Sequence, residues 1–268
     1  MITIVTDTSV GYSRAELESR GVKLVSLAYL ISGIPHSEQP RGENGNYAEK
    51  MRGKLLKTSQ PTPIAFSRVF EELTENDGEV LCITLSSALS GTYSSAVKAA
   101  EPFGTSVRVI NSGTVSCGLH LLVDEAVNML VCGMGLDEIC NNLAQIKNKV
   151  STVFSVDSLE PLRKGGRLVL SKSANTTLNM RPILTCIDNI KLISNARGVK
   201  QRVDALVSAV PDNARRIFVM KSEGADTSRV EAALSARFPH VKIHLRDVGP
   251  VISVHVGEGA MGISYISR

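Results

Sequence analysis

The sequence predicts an α/β protein of two domains, the first built on a mostly parallel sheet. Three observations predict it. Short, continuous apolar runs recur through the first half, at residues 2–6, 22–31, 80–85 and 107–110. Runs of this kind suit parallel strands covered on both faces. Helix-length stretches separate them, at 47–56, 63–73, 91–100 and 117–132, and such alternation is the mark of α/β architecture. The chain has 268 residues, which at roughly 150 per domain gives about two domains, with one large domain still allowed.

The elements follow in order. The first run ends at Asp7-Thr8-Ser9. A polar stretch with Pro and Gly, 32–46, reads as an exposed loop. The stretch 136–149 places Leu136, Ile139, Cys140, Leu143 and Ile146 on one side of a helix that closes the first domain. The boundary is expected near 150. That gives an N-terminal α/β domain at 1–150 and a C-terminal α/β domain at 151–268. In the second part, strands are expected at 151–156, 180–187, 191–194, 216–220, 241–245 and 251–256, with helices at 199–210 and 227–238.

Composition narrows the function. The chain carries 30 Lys and Arg against 26 Asp and Glu, a net charge of +4. That scattered surplus does not point to nucleic acid. The first residues lack the basic and apolar regions of a signal peptide. No apolar run reaches the ~18 residues of a membrane span. The five cysteines have no CxxC spacing, which reads as reduced thiols in a reducing compartment. Trp is absent and aromatics are 4%, so aliphatic side chains must build the core.

Hydroxyls crowd the strand ends, where ligands of open α/β sheets bind. One group is Asp7-Thr8-Ser9. Another holds Ser86, Ser87, Ser90, Gly91 and Thr92. A third spans 111–116, and Thr58-Ser59-Gln60-Pro61 forms a turn before the next helix. Helix N-termini attract anions, but Ser and Thr are also the usual helix caps. His255 stands at the end of an apparent strand, before Gly257, Gly259 and Gly262. The G-x-G-x-x-G spacing is not a dinucleotide fingerprint, because a strand rather than a helix follows it. Arg163, Lys164 and Arg167 form one basic cluster, open to phosphate binding, an acidic partner or a plain helix end. Arg197, Lys200 and Arg202 form another. Cations at a helix start oppose the helix dipole, which favours a partner contact. No phosphate loop, H-E-x-x-H or G-x-S-x-G occurs, and the five histidines lack metal-site spacing.

Taken together, these motifs resemble the DegV family of bacterial fatty-acid-binding proteins. The resemblance runs through Val5-Thr6-Asp7-Thr8-Ser9, Thr58-Ser59-Gln60-Pro61-Thr62-Pro63, the run 86–96, and Ser112-Gly113-Thr114. It continues through Leu162-Arg163-Lys164-Gly165-Gly166-Arg167, Arg181-Pro182-Ile183-Leu184, Ala196-Arg197-Gly198 and the loop 255–262. It implies a ligand cleft between two α/β domains, to which the late glycine loop returns. It further implies a cytoplasmic carrier without catalytic residues, metal or cofactor. Its ligand would be a long-chain fatty acid, presented to a separate fatty acid kinase that forms an acyl phosphate, with no nucleic acid or stable membrane insertion.

Carried onto this sequence, the resemblance implies carboxylate contacts at Thr58, Ser59, Ser86, Ser87, Ser90 and His255. Asp7, Gly91, Thr92, Gly257 and Gly259 would support the loops, and Arg197, Lys200 and Arg202 would face the kinase. Asn111 stands where Asp is usual. Glu258 replaces a usual Pro and is expected to face solvent. The physics is consistent with such a ligand. Each buried methylene contributes roughly 0.8 kcal/mol, so a tail of about 14 gives roughly 11 kcal/mol before ordering costs. The alternative reading is a Ser/His-dependent hydrolase or phosphotransferase acting on a small acidic substrate. It requires a nucleophile and base within about 3.2 Å.

Overall fold

A computed structural model describes residues 1–168 and 180–268. In the first half the elements run β1 (Ile2–Asp7), α1 (Arg14–Arg20), β2 (Val22–Val25), β3 (Ala28–Ile31), β4 (Ile34–Ser37), α2 (Tyr47–Met51) and β5 (Leu56–Ser59). They continue as α3 (Pro63–Thr74), β6 (Glu79–Thr84), α4 (Thr92–Ala100), β7 (Val107–Asn111), α5 (Cys117–Val131) and α6 (Leu136–Ile146). Strands β2, β1, β6 and β7 form a sheet in that order, every pair parallel. Both faces are covered, which explains the unbroken apolar runs. Val5, Val80 and Cys82 turn toward Phe66 and Phe70 of α3 and Ala96 of α4. Their neighbours Ile4, Leu81 and Ile83 turn the other way, into the cluster that holds Leu119 and Leu122 of α5.

The second half runs β8 (Val150–Ser155), α7 (Glu160–Lys164), β9 (Met180–Ile187), β10 (Asn189–Arg197) and α8 (Gly198–Ser208). It ends with β11 (Ala214–Lys221), α9 (Ser228–Arg237), β12 (Ile243–Asp247), α10 (Pro250–Val256) and β13 (Met261–Ser267). Its six strands are ordered β10-β9-β8-β13-β11-β12. Among the described residues of this sheet, only the β11–β12 pair is parallel. The molecule therefore has two α/β domains, the first on the parallel sheet. Among the described residues, no helix is long and apolar enough to cross a membrane.

Several expectations fail locally. The run 22–31 is two strands, because β2 stays in the parallel sheet while β3 leaves it to pair with β4 and β5. The supposed loop 32–46 contains β4 and a buried acid, Glu38. The helix at 47–56 stops at Met51, where Gly53 turns the backbone left-handed at φ 69° and the chain re-emerges as β5. The segment 251–256 is helix rather than strand. Extended Gly249 precedes it, Pro250 occupies its first turn, and Val251 and Val254 are buried one turn apart. Its β-branched composition imitates a strand.

Candidate functional site

A cavity of about 420 Å³ is lined by residues from both halves of the chain. Leu27, Leu85, Leu89 and Val115 line it from the first domain, and Phe154 and Met220 from the second. Its polar end is assembled from distant parts of the chain. Thr58, on β5, places its Oγ1 2.9 Å from Nε2 of His255, on α10. The other ring nitrogen, Nδ1, is buried without a hydrogen-bond partner among the described residues. It packs against Gly165, where even a Cβ would come within 2.6 Å of it. Burial, and then the charge of Arg167, push the imidazole down to about 4. Arg167 also lines the cavity. Its Nε donates to Leu89 O at 3.0 Å, and its Nη1 donates to Gly165 O. Among the described residues no carboxylate pairs with it, and burial lowers its pKa. A cation, a neutral imidazole and a hydroxyl thus converge at the end of an apolar slot. That arrangement suits an anionic head on an apolar tail.

The family model described as "uncharacterised protein, DegV family" matches residues 1–268. The chain belongs to the DegV family. A DegV domain-containing protein of Listeria monocytogenes is 30% identical over 278 residues, covering 98% of each chain. Among solved structures, a Thermus thermophilus DegV family protein described for fatty acid binding is 28% identical. Its TM-score is 0.88, over 100% of this chain and 99% of that one. DegV of Bacillus subtilis, described as a fatty acid binding protein, is 26% identical with a TM-score of 0.83, over 100% and 99%.

Within this DegV chain the anticipated site residues separate into three groups. Thr58, Ser59, Ser90 and His255 line the cavity. Ser90 Oγ lies 2.8 Å from Thr92 Oγ1 and accepts from Thr92 N at 3.3 Å, so part of its capacity goes to starting α4. Ser86 and Ser87 are off the cavity wall. Ser86 is fully buried and donates to Asp188 O at 2.6 Å, in the turn between β9 and β10. Ser87 is exposed and accepts from Asn111 Nδ2 at 2.7 Å.

The supporting residues shape the walls. Asp7 is fully buried and accepts from Leu85 N at 2.7 Å, which ties β1 to a wall residue; burial raises it to about 6. Gly91 leaves room for Gln60, whose Oε1 would be 2.1 Å from any Cβ there. Gly257 and Gly259 have φ of 73° and 74°. Gly257 ends α10 by donating to Ser253 O, and Gly259 offers its carbonyl to Arg202. Glu258 is exposed and pairs with Arg52 at 3.5 Å.

The basic cluster at 197–202 divides. Arg197 and Lys200 are exposed. Arg202 is not available as a surface contact. It turns inward to bond Ser155 Oγ, Ser155 O, Asp157 Oδ1 and Gly259 O at 2.8–3.1 Å. Arg167 is the site residue that sequence reasoning left out of the head-group set. Its signal was present, a cation beside a Gly-Gly turn, but the sequence does not say that the turn folds under His255. Among the described residues, no group of three His, Cys, Asp or Glu side chains is placed to hold a metal ion.

Proposed function

We propose that this DegV protein binds one long-chain fatty acid, its tail in the cavity and its carboxylate on Thr58, His255 and Arg167. The observation that carries this reading is a cation with no carboxylate partner among the described residues, beside the Thr58–His255 pair in an apolar slot. The tail supplies most of the affinity through burial. The head needs donors, because an unpaired carboxylate there would be very costly. The fatty-acid-binding DegV proteins of similar fold support the same ligand class. The protein then acts as a carrier that offers the carboxylate to a fatty acid kinase, with exposed Arg197 and Lys200 in the contact. Positive charge there suits an acidic partner surface.

Native mass spectrometry of gently purified protein tests the ligand. A single long-chain acid released on denaturation is expected. An empty protein that also refuses oleate and palmitate overturns the reading. Acyl phosphate formed by kinase and ATP only when loaded carrier is added tests the second step. Equal rates with free fatty acid overturn it.

The hydrolase reading finds its base within reach of a hydroxyl, but of Thr58 rather than a serine. An imidazole held near 4, with no carboxylate on Nδ1 to orient it, is a poor general base at neutral pH.

A further inference from the structure

Glu38 is an acid placed where stability alone would not place one. It follows β4 and is 1% exposed. Its backbone N–H donates to Leu27 O at 2.8 Å, fixing it behind a wall residue of the cavity. Its Oε2 accepts from Thr8 Oγ1 at 2.7 Å, and that hydroxyl accepts in turn from Leu27 N at 3.0 Å. Its Oε1 accepts from Val251 N at 3.0 Å, in the first turn of α10. His255 lies one turn further on, on the same face of that helix. The backbone approaches so closely that a Cβ on Gly249 would lie 2.4 Å from Oε1. Tyr47, on α2, adds a second tie by donating to Val248 O at 2.8 Å.

Among the described residues no cation pairs with Glu38. The end of β1 presents Asp7, a like charge; β3 presents Tyr29 and α2 presents Tyr47. The first turn of α10 carries no charged side chain. Burial, with Asp7 adding to it, raises Glu38 to about 7, even against its two hydrogen bonds. A glutamine would accept the Val251 N–H without burying a charge. An ionised carboxylate holds that N–H more strongly than a neutral group does.

We propose that Glu38 is a positioning residue: its carboxylate holds the segment carrying His255 over Thr58, and proton uptake by Glu38 loosens that hold and speeds ligand release. This rests on the fatty acid reading for the identity of the ligand. Neither Thr58 nor His255 touches Glu38 directly; the coupling runs through the backbone of α10.

The test compares the full chain with its Glu38→Gln variant in two readouts. Without ligand, the Val251 amide resonance is followed between about pH 5.5 and 8.5. It is expected to titrate near neutrality in the wild type and to stay flat in the variant. The His255 ring resonances are expected to differ between the two proteins at the upper end of the range. With ligand, the wild type is expected to release oleate about fivefold faster near pH 6 than near pH 8, the scale of a charged hydrogen bond made neutral. The variant is expected to release it at the faster rate throughout.

Unchanged His255 resonances in Glu38→Gln, or oleate release with the wild-type pH profile, overturn the proposal. If neither protein holds oleate, the fatty acid reading fails, and the Val251 and His255 resonances still decide the positioning role. If Glu38→Gln does not fold, Gly249→Ala replaces it, because its Cβ displaces the same carboxylate. Faster oleate release and shifted His255 resonances are expected, and wild-type values for both overturn the proposal.

Discussion

Arg202 and Arg167 arise from two basic clusters that look alike in the sequence, and the fold uses them in opposite ways. Arg202 spends its guanidinium on four protein acceptors, including the carboxylate of Asp157. Arg167 spends part of its capacity on two backbone carbonyls and meets no carboxylate among the described residues. One cation is structural, and the other is poised for an anion that no described residue supplies. What marks a site is hydrogen-bonding capacity left over after folding, and not the density of polar residues.

The largest effect should fall on the spent cation. Arg202→Ala leaves Ser155 and the Gly259 carbonyl without their shared donor, while half-exposed Asp157 keeps Arg181 at 3.1 Å. Stranding a buried acceptor costs about 1–3 kcal/mol, and Ser155 and Gly259 supply more than one. Denaturant midpoints should drop accordingly, while oleate affinity in the fraction still folded should change little. A loss of affinity larger than the loss of stability would break the comparison, by making Arg202 part of the site.

Arg167→Met should show the reverse. A charge-assisted hydrogen bond contributes about 1.5–3 kcal/mol, or roughly 10- to 150-fold in affinity. The fatty acid dissociation constant should rise by that factor, while the lost bonds to Leu89 O and Gly165 O should cost about 1–2 kcal/mol of stability, less than Arg202→Ala does. The same variant sharpens the electrostatic part. His255 is held near 4 first by burial and then by Arg167. A histidine depressed on folding contributes stability that is full above its ordinary value of 6.5. That stability is lost as pH falls from there toward 4, because the unfolded chain takes up the proton first. Without Arg167 the imidazole should titrate higher, followed by its ring resonances, and the acid-side loss should shrink. A His255 midpoint identical to the wild type would remove Arg167 from the head-group end.

The parallel sheet was legible in the sequence because both faces are buried, so apolar runs and strands coincide in β1, β6 and β7. The segment around His255 was not. Val251, Val254 and Val256 have strand composition, and it masked the helix-start signal that Pro250 carries. The motif residues Thr58 and His255 were identifiable one by one, but their 2.9 Å contact spans 197 positions of chain, and local patterning carries no information at that range. Arg202 was misplaced for a related reason. A helix start predicts a cation's cost with the dipole, but not that Ser155 and Asp157 at the end of β8 lie beneath it.

The smallest effects test the serine-rich turn, where two neighbours differ. Ser86 is fully buried, and its Oγ joins the first domain to the β9–β10 turn through Asp188 O. Ser86→Ala strands that carbonyl and should cost about 1–2 kcal/mol of stability. Ser87 is exposed and bonds Asn111, itself at the surface. Ser87→Ala should stay within about 0.5 kcal/mol. Neither hydroxyl lines the cavity, so oleate affinity, corrected for the folded fraction, should match the wild type for both. A tenfold loss of affinity in Ser87→Ala would mean that the turn rearranges when the acid enters. The carboxylate would then draw on a hydroxyl that this arrangement spends elsewhere, and leftover capacity would have to be judged in the loaded protein.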